Sequence, residues 1–77
     1  MMWTATVEKG DMIAKFSTLQ MRHESVFDEP HAIASPINPE LDDLTFAGVK
    51  VDPLRLPSGV YEAIMELANC VEFEHQN

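Results

Sequence analysis

The sequence predicts an α+β fold: a small antiparallel sheet of about three strands with one C-terminal amphipathic helix packed on it. Three observations predict it. Trp3, Ala5 and Val7 alternate with Thr4, Thr6 and Glu8, the period of a half-buried strand. Phe46, Gly48, Val49, Lys50 and Val51 read as another strand, stopped by Asp52-Pro53. Val60, Ile64, Leu67 and Val71 recur at helical spacing and are joined by Tyr61 and Ala68, which describes one apolar face of a helix.

Taken in chain order, strand one covers residues 3–8 and is punctuated by Lys9, Gly10 and Asp11. Met12, Ala14 and Phe16 alternate as a returning strand over about 12–18. Asp11 as an N-cap, with Met12, Phe16 and Leu19 on one face, would instead make residues 12–22 a helix. The turn chemistry and the Phe16-Ser17-Thr18 stretch favour the hairpin. Residues 24–43 read as a long acidic connection, because Pro30, Pro36 and Pro39 deny it a continuous helix or a central strand. Val26, Phe27, Ile33, Ile37 and Leu41 are expected to pin it to the core, and Asn38-Pro39 predicts one helical turn over 39–43. A third strand follows at about 45–51, with Gly48 marking a bulge or a close backbone approach. Ser58 is the expected N-cap of the helix, whose outer side carries Glu62, Glu66 and Asn69. Phe73 falls on that polar side unless the chain turns extended after Cys70. The expected core is Trp3, Val7, Phe16, Phe46, Val49, Val51, Tyr61, Ile64, Leu67 and Val71.

Seventy-seven residues, 45% of them apolar, form one small globular domain with a thin core. A chain of this size buries only roughly 60% of the surface it exposes when unfolded. One cysteine excludes an intrachain disulfide, which makes a reducing, cytoplasmic setting the default expectation. Neither a basic leader followed by an apolar run nor a membrane-length apolar stretch is present.

The net charge is −8, and it is unevenly placed. Glu24, Asp28, Glu29, Glu40, Asp42 and Asp43 lie in a stretch without Lys or Arg, and Glu62, Glu66, Glu72 and Glu74 lie in another. Such a field repels nucleic acid and anionic membranes and attracts basic surfaces. The five cations, Lys9, Lys15, Arg22, Lys50 and Arg55, are too scattered for a nucleic-acid groove. Direct nucleic-acid binding and membrane association are therefore not expected.

Three constellations bear on catalysis. His23, Glu24, Asp28, Glu29 and His31 are metal-ligand types, but their spacing matches no zinc pattern and Pro30 breaks any helix that would align them. Cys70 with His75 would be a nucleophile and a base, but Glu66, Glu72 and Glu74 oppose thiolate formation. Asp28-Glu29 and Asp42-Asp43 supply paired carboxylates, yet hydrolysis also needs a concave pocket that chains this small rarely enclose. No catalytic residue, metal or cofactor is expected.

The acidity itself is the remaining functional signal. Carboxylates in rows can occupy a basic groove built for a phosphate backbone, although net negative charge also serves solubility alone. In size and charge the chain is similar to the small acidic inhibitors of bacteriophages, among them nucleic-acid mimics and anti-CRISPR proteins. That class implies a non-enzymatic protein that inhibits or regulates a partner through its basic, including nucleic-acid-binding, surface. The partner-binding residues on this reading are Glu24, Asp28, Glu29, Glu40, Asp42, Asp43, Glu62 and Glu66. The alternative is an accessory or structural subunit, such as a homodimer, that uses exposed apolar residues such as Met21, Phe27 or Phe73.

Overall fold

The N-terminal alternation folds as the sequence pattern requires. In a computed structural model, which describes residues 2–25 and 32–76, β1 (Met2–Lys9) pairs antiparallel with β2 (Met12–Thr18), from Trp3 opposite Thr18 to Lys9 opposite Met12. The two-residue turn Gly10–Asp11 joins them, and Gly10 takes the left-handed φ of 58° that such turns demand at the first position.

β2 is the central strand. Its other edge pairs antiparallel with β5 (Glu40–Phe46), which in turn pairs with the two residues of β6 (Val49–Lys50). Beyond β1 lies β7 (Glu74–Gln76), so the sheet order is β6-β5-β2-β1-β7. A second, two-stranded sheet consists of β3 (Gln20–Ser25) and β4 (Ala32–Ile37). Ser17 faces Glu40 and Gln20 faces Ile37, so Thr18–Leu19 stands opposite Asn38–Pro39 and the register of Phe16–Ser17 continues into the second sheet. β3–β4 is thus the distal arm of one long hairpin whose proximal half is β2–β5, and the molecule measures 44 × 28 × 20 Å.

A register shift interrupts the proximal half. Lys15 faces Asp43 but Phe16 faces Leu41, which leaves Asp42 as the extra residue of a bulge. The inserted residue lets Leu41 and Leu44, three positions apart, both turn to the side of the sheet that carries Ala14 and Phe16. Ala5 and Val7 of β1 complete that side. Against it pack Ile64 of α1 (Ser58–Glu66), Ala68 of the 3-10 turn Leu67–Asn69, and Phe73. The ribbon bends toward the same side, where β4 approaches Leu67–Asn69 and Met21 packs on the core.

The expected fold of about three strands with a C-terminal helix is corrected by this architecture. Among the described residues there are five strands in the main sheet and two in the ribbon, the helix is short, and it is followed by β7. The 24–43 connection contains β4 and the start of β5; the expected returning strand at about 12–18 is β2, and β3 follows Leu19 from Gln20, so the helical alternative over 12–22 is not formed. Pro36 is tolerated because β4 has, among the described residues, one partner and one free edge, where a missing N–H breaks no ladder bond. Asn38 does not cap a helical turn at 39–43. It adopts φ 49°, a left-handed conformation that asparagine accepts, and Pro39 leads into β5. Gly48 is neither a bulge nor a close approach: nothing lies within 4 Å of where its Cβ would be, and with φ 79° it forms the second half of the Ala47–Gly48 turn.

Two further corrections concern the helix and the core. Val60 N and Tyr61 N both donate to the Pro57 carbonyl, so Pro57 rather than Ser58 occupies the N-cap, without a side-chain cap. Phe46, Val49 and Tyr61 are exposed, whereas Ala5, Met12, Ala14, Leu44, Ala68 and Phe73 are buried beside the expected Val7, Phe16 and Ile64. Trp3, Val51, Leu67 and Val71 are half-buried at its margin. Of the residues expected to pin the connection, Ile33 is exposed, Ile37 and Leu41 are half-buried, and Val26 and Phe27 lie outside the described residues.

Candidate functional site

Residues directly opposite one another in an antiparallel pair share a face, so the register identifies what lies on the side of the sheet away from α1. One row runs Lys50, Thr45, Ile13, Glu8; the next Asp43, Lys15, Thr6; and the third Glu40, Ser17, Thr4, Glu74. Among the described residues no helix packs on this side. Glu8, Glu40 and Glu74 are exposed on it, as is Asp42 at the bulge, while Lys15 and Lys50 are its only cations among the described residues.

These carboxylates are not equivalent. Asp43 Oδ1 is buried without a hydrogen-bond partner and lies 3.7 Å from Lys50 Nζ, so its charge is already partly answered from β6. Glu40 and Asp42 make no ion pair among the described residues. Asp52 is spent locally, accepting a hydrogen bond from Leu54 N at 3.0 Å and pairing with Arg55 Nε at 3.9 Å.

At the bend of the long hairpin this face holds a cleft of about 430 Å³, lined by Met2, Ser17, Thr18, Leu19, Gln20, Ile37, Asn38 and Glu40. Thr18 fixes its floor. The buried hydroxyl reaches across the hairpin to the Ile37 carbonyl and lies 3.1 Å from the Gln20 carbonyl, tying both strands where the ladder is interrupted. Leu19 is 75% exposed and Met2 43% exposed at its mouth.

Of the expected partner-binding residues, Glu40, Asp42 and Asp43 come together on β5. Glu24 lies on β3 opposite Ile33, and Asp28 and Glu29 fall outside the described residues. Glu62 and Glu66 are exposed on α1, which covers the other side of the sheet, so the two acidic rows point away from each other. The cleft residues Met2, Ser17, Leu19 and Asn38 carried no signal in the sequence, because the bend that gathers them depends on the pairing of β3 with β4.

Cys70 Sγ is exposed and sits 3.8 Å from the Glu66 carbonyl, and the His75 ring lies against Trp3 with centroids 4.7 Å apart. Among the described residues no three His, Cys, Asp or Glu side chains form a metal-binding group; Val26 to His31, which includes most of the expected ligand segment, lies outside them. Among the described residues no helix is long and apolar enough to cross a membrane. No protein family, curated protein or solved structure matches this chain.

Proposed function

We propose that this chain is a non-enzymatic interaction protein that inhibits or regulates a partner by laying the uncovered face of its sheet on a basic, including nucleic-acid-binding, surface of that partner. The observation that carries the reading is the pairing of unanswered carboxylates with an open cleft: Glu40 and Asp42 stand exposed beside an indentation with exposed apolar walls. Interfaces take specificity from charge complementarity and affinity from a few desolvated anchors, and this face offers both. A cytoplasmic setting belongs to the same reading, since the single free cysteine asks for no oxidising compartment.

The helix acids cannot join the same flat contact, because α1 lies on the opposite side of the sheet. Charge reversal therefore separates the two rows. Glu40→Lys with Asp42→Lys is expected to slow association with a partner captured from host lysate and to reduce its dependence on salt, because exposed charges are screened beyond roughly 8 Å at physiological ionic strength. Glu62→Lys with Glu66→Lys is expected to leave association near wild type. Equal binding by both double variants, flat across salt, would sink the electrostatic reading.

The accessory-subunit reading has its own support at a different place. Phe73 is buried and Met21 half-buried, so they do not serve it. A groove of about 390 Å³ between the first turns of α1 and the end of the sheet, walled by Met12, Phe46, Val60, Ala63, Ile64 and Leu67, is the apolar surface that would.

A further inference from the structure

We infer that the cleft at the hairpin bend receives an arginine side chain of the protein partner, an inference that rests on the acidic-interface reading and names the group it recognises. Three features of the cleft select that side chain. Its apolar walls, Met2, Leu19 and Ile37, suit the methylenes of a long cationic residue, which bury along apolar surface while the charged head seeks a polar group. Among the described residues its only charged lining residue is Glu40, with no lysine or arginine in the described lining to compete for that carboxylate. Ser17, 6% exposed and lining the same cleft, has a hydroxyl without a hydrogen-bond partner among the described residues.

The register gives these two acceptors a specific relation. Ser17 and Glu40 are directly opposite on β2 and β5, which sets their Cβ atoms about 5 Å apart on the same face. A guanidinium presents several N–H donors in a planar fork and can bond a carboxylate and a neighbouring hydroxyl at once, whereas an ammonium is a compact point charge. Thr18 is already engaged at the bend: its hydroxyl donates to the Ile37 carbonyl and its oxygen accepts from Gln20 N at 3.4 Å. The cleft volume of about 430 Å³ falls within the range of about 300 to 1,000 Å³ typical of small-ligand sites.

The test is an amide NMR titration of the whole chain at low salt with the peptide acetyl-Gly-Arg-Gly-amide, run beside peptides in which lysine or the uncharged isostere citrulline replaces the arginine. Saturable shifts are expected at Leu19, Gln20, Asn38 and Glu40. Binding is expected to weaken about tenfold for the citrulline peptide and for the Glu40→Gln variant, the loss of one charge-assisted hydrogen bond. Ser17→Ala is expected to narrow the preference for arginine over lysine, and Glu62→Gln to change nothing. Far-UV circular dichroism confirms that each variant is folded. Shifts at Glu8, Asp42 and Glu74, alike for arginine and lysine and indifferent to Glu40→Gln, would overturn the cleft assignment and leave the acidic face as the interface. No saturable shift with either cationic peptide would also overturn it, and the salt dependence of partner capture would then decide the broader reading separately.

Discussion

The proximal and distal halves of the long hairpin are continuous in register across their junction and differ in what covers them. β2–β5 sits inside the sheet, flanked by β1 and β6, and turns Ala14, Phe16, Leu41 and Leu44 toward a helix. Among the described residues β3–β4 has no strand beside it, and Arg22, His23, Ile33, Ala34 and Ser35 are exposed along it. A two-stranded hairpin is marginal in water without a third strand or a packed face, so the distal half depends on the proximal half to hold its shape. Backbone ladder is common to both regions; burial is what makes one of them the core.

The largest expected effect is at the centre of the covered half. Phe16 and Leu44 are fully buried, and Phe16→Ala or Leu44→Ala is expected to cost about 3 to 5 kcal/mol, enough to unfold a small domain. Chemical denaturation measures it. Leu67→Ala, on a half-buried residue at the margin of the core, is expected to cost less than either. A smaller loss at Phe16 than at Leu67 would mean that the helix, rather than the sheet, anchors the fold.

The junction between the halves comes next. Thr18→Val keeps the shape of the side chain and removes the hydroxyl that ties Ile37 to the bend, leaving a backbone carbonyl without that donor; the expected cost is about 1 to 3 kcal/mol. Hydrogen exchange reads the two halves separately. Amides of β3 and β4 are expected to lose protection more than those of β1 and β2, because only the arm is held through this contact. Equal loss in both regions would make the hairpin one cooperative unit.

How much of this was legible follows from the same contrast. β1 and β2 could be read because each has one covered face and one open face, which writes a period of two into the sequence. The arm is covered only where Met21 packs on the core and β4 nears Leu67–Asn69, so its burial writes no sustained period of two, and Pro36 and Pro39 made the segment look unstructured when they mark the arm and its junction. β5 was hidden by its bulge: the extra Asp42 puts Leu41 and Leu44 three apart, a helical spacing, and Asn38-Pro39 imitated a helix start. β7 is Glu74-His75-Gln76, an edge strand without an apolar residue, detectable only through Phe73 beside it. The acidic row on β5 was visible as composition, but its partition into a tethered Asp43 and unpaired Glu40 and Asp42 depends on β6 and the bulge, which composition cannot express.

Ala47 offers a gain on the covered half. It holds φ 50° at the first position of a two-residue turn, a left-handed conformation that costs an alanine roughly 1 to 2 kcal/mol, while Gly48 at the second position takes φ 79° freely. Asparagine followed by glycine is the favoured pair for this turn, so Ala47→Asn is expected to stabilise the protein by about 0.5 to 1 kcal/mol and raise its melting temperature by a few degrees. No gain on thermal melting would indicate that the bond from Ala47 N to the Asp11 carbonyl, 2.9 Å long, already offsets the strain and is disturbed by the larger side chain.

The smallest expected effect falls on the arm, and it bears most directly on what the arm is for. Ile33 is 56% exposed on β4, and replacing it by serine removes apolar surface that the chain itself barely covers, so stability is expected to change by less than about 0.5 kcal/mol. Concentration makes the measurement more informative. If Ile33 faces solvent, the denaturation midpoint of wild type and of Ile33→Ser is independent of protein concentration, and sedimentation shows one species. A midpoint that rises with concentration in wild type and not in the variant would mean that a second copy covers the arm, because only an associating protein gains stability by mass action. The exposed ribbon would then be half of an interface, its marginal stability supplied by the partner copy, and the homodimeric accessory subunit would displace the acidic inhibitor as the account of this chain.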